Sequence, residues 1–176
     1  GFTVVVCLLH PKSRGSVMLQ STDAKDKPLI NANYLAHDLD LRTLVEGMKM
    51  ARSIGHGKAL DEVRGCEIEF EGIHCPRPFS DEYHEEVLRK YGFTLYHPTS
   101  TVRMGPPGYP ADEMLRVRGV QGLRVADASV MPVLPSANTM APTVMIGERC
   151  AAMVLEEATR SLPNKQIDTK SMMAAL

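Results

Sequence analysis

In the stretch "LYHPTSTVRMG", residues 95–105, a histidine stands directly before a proline. The proline ring excludes His97 from the helical region and pushes it toward an extended or turn conformation, so its imidazole is aimed by a loop. Histidine titrates near pH 6.5 and can take or give a proton near neutrality, which makes His97 a candidate acid or base. The bland alternative is a hydrogen-bonded packing residue. Asn138 carries an amide with donors and an acceptor at fixed charge, able to hold an oxygen without competing as a base. Asp127-Ala128-Ser129 places a carboxylate before two small residues. Asp127 could simply cap a turn, and Asn138 could cap the helix that follows it.

The elements that must position these residues follow from the pattern of apolar and turn residues. Residues 3–9, "TVVVCLL", read as a strand, and the turn 11–15 leads into a second strand at 16–20, so the chain is expected to open with a hairpin. Leu41, Leu44, Val45, Met48 and Ala51 recur at helical spacing and predict a helix over 38–54, started by an aspartate and stopped by Gly55 and Gly57, with Met48 and Met50 in the core. Residues 67–70 alternate like a short strand. After a proline-rich loop, Ser80 can cap a helix that has Tyr83, Val87 and Tyr91 on one face, His84 on the solvated face, and Gly92 as its stop just ahead of His97. A strand is expected at 122–127, ending at Asp127. Pro142 then suits the first turn of a long helix with Val144, Ala151, Val154, Leu155 and Ala158 on its apolar face. Arg103 and Met104 read as surface and packing residues, and the residues from 161 to 176 as a loosely held tail.

The chain has 176 residues, 44% of them hydrophobic, enough for one real core. Its 20 basic and 21 acidic residues form no block of like charge, which argues against a nucleic-acid surface and leaves small-molecule chemistry. Cys7, Cys66, Cys75 and Cys150 are scattered without a CxxC pair, and His74 beside Cys75 supplies too few ligands for a metal, so no metal site is expected. The run at 3–9 is too short for a transmembrane segment and lacks the flanks of a secretory signal. An opening on Gly1 rather than methionine suggests a piece of a longer protein. Nothing in the composition indicates a compartment.

Three segments together, "LLHPKSRGSVMLQS", "YHPTSTVRMG" and "RVRGVQGLRVADASVMPVLPSANTMAPTVMIGERCAAMV", resemble the carboxy-terminal domain of glucose-methanol-choline (GMC) oxidoreductases, the choline dehydrogenase-like branch in particular. The likeness covers most of residues 2–157. The resemblance implies an α+β fold with a mostly antiparallel sheet and packed helices over 1–160, part of which returns to an FAD-binding domain. It also implies an enzyme that oxidises a small-molecule alcohol, choline-like or another CH–OH donor, by hydride transfer to FAD. The family's catalytic histidine matches His97, and the partner that is histidine in some members and asparagine in others matches Asn138. Its flavin contacts match Asp127 and Ala128 near the ribityl and phosphate region, with Asn138 and Thr139 beside the ring. These roles agree with the residues, because hydride leaves an alcohol carbon only if the hydroxyl proton is also taken or shared, and neutral His97 can take it.

The sequence departs from the family pattern in three places. Ala137 stands before Asn138 where the family usually has glycine, 111–114 lacks the customary aspartate-proline approach, and no GxGxxG lies between a strand and a helix. That motif would carry the FAD pyrophosphate, so the main cofactor-binding half is expected to lie outside this chain. The competing expectation is a non-catalytic fragment or binding module that keeps the fold without the chemistry.

Overall fold

The computed structural model describes residues 1–161; most of the tail expected at 161–176 lies outside the described residues. Three helices and one small antiparallel sheet are present among them: α1 (Asp38–Gly55), α2 (Asp81–Tyr91), α3 (Met140–Ser161), β1 (Ser16–Met18) and β2 (Leu29–Asn31). The chain forms two compact units, one of residues 1–97 with 134–138, the other of 98–133 with the chain from Thr139 onward.

In the first unit the opening hairpin does not form. Residues 3–9 run without a strand partner, and β1 pairs instead with β2, Ser16 opposite Asn31 and Met18 opposite Leu29. The apolar run has a different use: Val6 occupies the space a Gly47 side chain would need, and Phe2 lies against Gly55, so the run follows α1. Gly15 permits the sheet, since any Cβ there would strike the carbonyl oxygens of Asn31 and Ala32.

Helix α1 buries Leu41 and Val45 as its spacing predicts. Its cap is His37 rather than an aspartate, with Nδ1 accepting from the Leu39 N–H at 3.1 Å. Asp38 lies one residue inside the helix and serves its positive end, while Asp40 turns inward. The buried Asp40 carboxylate accepts the Lys12 and Ser13 N–H groups, each at 2.7 Å. Burial raises the Asp40 pKa, but these hydrogen bonds and the Ser13 hydroxyl outweigh it and hold the carboxyl below its usual range. Met50, expected in the core, is 66% exposed.

Helix α2 is capped by Ser80, whose Oγ accepts from the Tyr83 N–H, and stops at Gly92, whose N–H donates to the Leu88 carbonyl. Tyr83 and Val87 are buried, but His84 is buried beside them and not on a solvated face. It follows Tyr83 by 100° of helical turn, which keeps it within the stripe that packs toward α1. Arg52 of α1 stacks over Phe79 at 4.3 Å, and Lys49 bonds Asp81 at 2.9 Å. Residues 67–70 form no strand, and their polar groups bond the helices instead. Glu67 accepts from Arg52 Nε at 3.0 Å and pairs with His56 Nε2 at 2.8 Å, and the Phe70 N–H donates to the Tyr83 hydroxyl.

The second unit is held by loops on one helix. The N–H groups of Ser100, Val102 and Met104 donate in turn to the carbonyls of Ala128, Ser129 and Val130. The expected strand at 122–127 is reduced to a single bridge between Arg116 and Arg124. Leu115, Val130, Met131 and Ile146 form the core, with Met104 and Cys150 packed on it. The face of α3 that is buried carries Ile146 and Met153, while the expected face points outward, with Val144 60% and Leu155 68% exposed. Leu115 reaches the core with φ +62°, a left-handed conformation held by Asp112, whose carboxylate accepts the N–H groups of Met114 and Arg116 and the Arg116 side chain. That turn overlaps residues 111–114, one of the three departures noted in the sequence.

Candidate functional site

His97 is half-buried at the end of a tight loop that follows α2. Tyr96 on one side has φ +64° and Ser100 on the other +73°, conformations that cost a residue with a side chain about 1–3 kcal/mol each. Strain of this kind persists only where surroundings impose it. The imposing contacts are visible: Thr94 Oγ1 accepts from the Tyr96 N–H at 3.0 Å, Thr99 and Ser100 hydroxyls pair at 3.0 Å, and the Ser100 N–H is fixed on Ala128. The hydroxyl residues after the histidine thus shape the loop.

Asn138 is exposed and lies in the short segment 134–138, which the chain enters from the second unit and leaves for it again. His97 and Asn138 therefore belong to the same unit, although the intervening 98–133 belongs to the other. Asp127, Ala128 and Thr139 fall in the second unit. Asp127 does cap, as one alternative held: its Oδ1 accepts from the Ser129 N–H at 2.8 Å at the start of the short 3-10 helix Ala128–Val130. The side chain is nonetheless exposed. Thr139, not Asn138, directly precedes α3, and its carbonyl accepts the Thr143 N–H and hydroxyl.

Gly105, at the close of the histidine segment, is packed so tightly that a Cβ there would come within 2.8 Å of the Tyr109 ring. Arg103 stands over that same ring at 5.4 Å. Two histidines that the sequence patterns did not select also have defined places. His10 pairs with Ser136 at 2.9 Å, and His84 is buried with neither ring nitrogen hydrogen-bonded. His10 carried a signal, since it stands before Pro11 as His97 stands before Pro98.

Comparison with known proteins identifies the family of this chain. The family description "GMC oxidoreductase", for the carboxy-terminal domain, matches residues 11–147. The chain belongs to the GMC oxidoreductases. It is 41% identical over 159 residues to choline oxidase of Arthrobacter globiformis, matching 88% of this chain and 28% of that protein. It is 39% identical over 158 residues to alcohol dehydrogenase [acceptor] of Pseudomonas putida, matching 89% of this chain and 28% of the relative. Among solved structures it resembles Aspergillus oryzae RIB40 formate oxidase, a protein in which FAD modification is described, with a TM-score of 0.75 at 31% identity, covering 83% of this chain and 25% of that one. The chain thus has the fold of the GMC carboxy-terminal domain and spans about 28% of the length of the curated relatives it matches. Among the described residues, no three His, Cys, Asp or Glu side chains are grouped to hold a metal, and no helix is long and apolar enough to cross a membrane.

Proposed function

We propose that residues 1–160 are the substrate-handling and catalytic domain of an FAD-dependent enzyme that oxidises a small alcohol, choline-like or another CH–OH donor. The observation that supports this reading is that His97 and Asn138 fall in the same compact unit although residues 98–133 between them do not. His97 Nε2 or Nδ1 takes the alcohol proton as hydride leaves the carbon, and the strained loop limits the directions in which the ring can point. Asn138 holds the alcohol oxygen and stabilises its developing charge without accepting the proton.

The remaining residues fit FAD. Asp127 is exposed with an acceptor to spare for a ribityl hydroxyl, Ala128 presents only a methyl group to a close approach, and Asn138 and Thr139 immediately precede α3, a 22-residue helix whose positive end favours negative charge. FAD, when bound, supplies the acceptor for the hydride. The chain has no glycine-rich pyrophosphate loop, so we assign that task to an amino-terminal FAD-binding domain, for which the greater length of the relatives leaves room. Part of this chain returns to that domain, and the outward apolar residues of α3, Val144, Met145 and Leu155, offer it a surface.

Stopped-flow reduction by alcohol under anaerobic conditions, on FAD-loaded protein that includes the amino-terminal FAD-binding domain, tests the reading. His97→Ala should slow reduction by about a hundred- to ten-thousandfold with FAD still bound. Asn138→Ala should cost about 1–3 kcal/mol in the same step. A non-catalytic module predicts no such reduction, and an unchanged rate in His97→Ala would remove His97 from the chemistry.

A further inference from the structure

We propose that His10 is a positioning residue: through Ser136 it holds the loop that presents Asn138. This rests on the catalytic reading of Asn138 above. His10 Nε2 lies 2.9 Å from Ser136 Oγ, across 126 residues of sequence, with the imidazole donor or acceptor according to its tautomer. Ser136 is two residues from Asn138, in a segment whose last three residues are exposed. The flanking chain on both sides belongs to the other unit, so the segment depends on contacts such as this one to stay with the unit of His97.

His10 is itself well anchored. Pro11 restricts its backbone to extended or turn geometry. The next two residues, Lys12 and Ser13, are fixed by their N–H groups on the buried Asp40 carboxylate of α1, and the Ser13 hydroxyl accepts the His37 N–H at 3.0 Å. The connection therefore runs from α1 through Asp40, the 11–13 turn and His10 to Ser136. A rigid helix sets the place of an exposed loop. This arrangement gives Asp40 a reason to be charged and buried, and it uses the stiffness of the first His-Pro pair as the active-site loop uses the second.

An exposed neutral hydrogen bond is modest, so its loss should raise opening of the loop about two- to tenfold. Amide hydrogen exchange of a peptide covering 134–138, followed by mass spectrometry on the FAD-loaded protein, should show that increase in His10→Ala and equally in Ser136→Ala. The double variant should exchange no faster than either single one, and His10→Gln, which keeps a nitrogen at a similar reach, should restore protection. Alcohol turnover should fall in kcat by a similar factor in His10→Ala. In an Asn138→Ala background the same substitution should add nothing. Unchanged exchange in His10→Ala, or losses that multiply with Asn138→Ala, would overturn the assignment. If Asn138→Ala leaves alcohol oxidation intact, or if the protein oxidises no alcohol, the catalytic reading fails, and the exchange experiment alone decides whether His10 holds the loop.

Discussion

Replacing His84 with leucine should make the protein more stable, which is an uncommon result for a buried side chain on a packed helix. His84 is 3% exposed, neither ring nitrogen has a hydrogen-bond partner, and the ring stands edge-on to Tyr83 with centroids 5.8 Å apart. A desolvated polar atom left unsatisfied costs about 1–3 kcal/mol, and leucine fills a similar volume without one. Less about 0.5–1 kcal/mol for imperfect fit of the new side chain, the net gain near neutral pH should be about 0.5–2 kcal/mol, or about 2–4 °C in Tm for each kcal/mol. Titration provides a second signature. Burial holds the His84 pKa below its usual value; Asp81 and Glu67 oppose the shift, and Arg52 and Lys49 reinforce it. Below about pH 6.5 the unfolded chain binds a proton there that the folded chain refuses, so stability is lost on acidification, by at most about 1.4 kcal/mol per pH unit. The loss stops growing once the folded imidazole also titrates. Urea unfolding followed by circular dichroism from about pH 8 to about pH 5 would measure both effects, since the remaining histidines contribute alike to the two proteins. The advantage of His84→Leu should widen as pH falls. A variant less stable than its parent at neutral pH, or a gap that does not change across the range, would refute the reasoning.

Two further substitutions probe the scaffold. Asp40→Asn keeps the size but offers one acceptor oxygen to two N–H donors that now each lie 2.7 Å from a carboxylate oxygen, and should cost about 1.5–3 kcal/mol at neutral pH. Because the folded carboxyl titrates below its usual range, that contribution is present above about pH 4 and disappears as pH falls through the lowered pKa, so acid unfolding curves of the two proteins should converge. Gly105→Ala places a methyl group within 2.8 Å of the Tyr109 ring and should destabilise by about 1–3 kcal/mol in thermal melts. Tyr109→Ala in the same chain should recover part of that loss, whereas a neutral Gly105→Ala would mean that the ring yields.

The helices were legible because their signals are local. Leu41 and Val45 at a spacing of four, Ser80 before an acidic first turn and Gly92 after the last one describe α1 and α2 without reference to the rest of the chain. The family was legible too, since its three segments keep their order and residue types wherever the chain later runs. Strands were not. Residues 3–9 and 67–70 have the composition of strands, but a strand requires a partner with free backbone groups. Val6 finds α1 instead, and the Phe70 N–H finds the Tyr83 hydroxyl. Burial of polar groups was equally out of reach. His84 was expected on a solvated face and the sequence set no place for Asp40, and only the packed structure could bury both, with two N–H donors on Asp40 and none on His84. Asn138 itself was visible as a chemical group in a matching motif, but its membership of the unit of His97 was decided by tertiary structure. The physical reason is common to all of these cases: periodicity and capping act within a few residues, while strand pairing, desolvation and the joining of distant loops depend on contacts that exist only after the chain has closed.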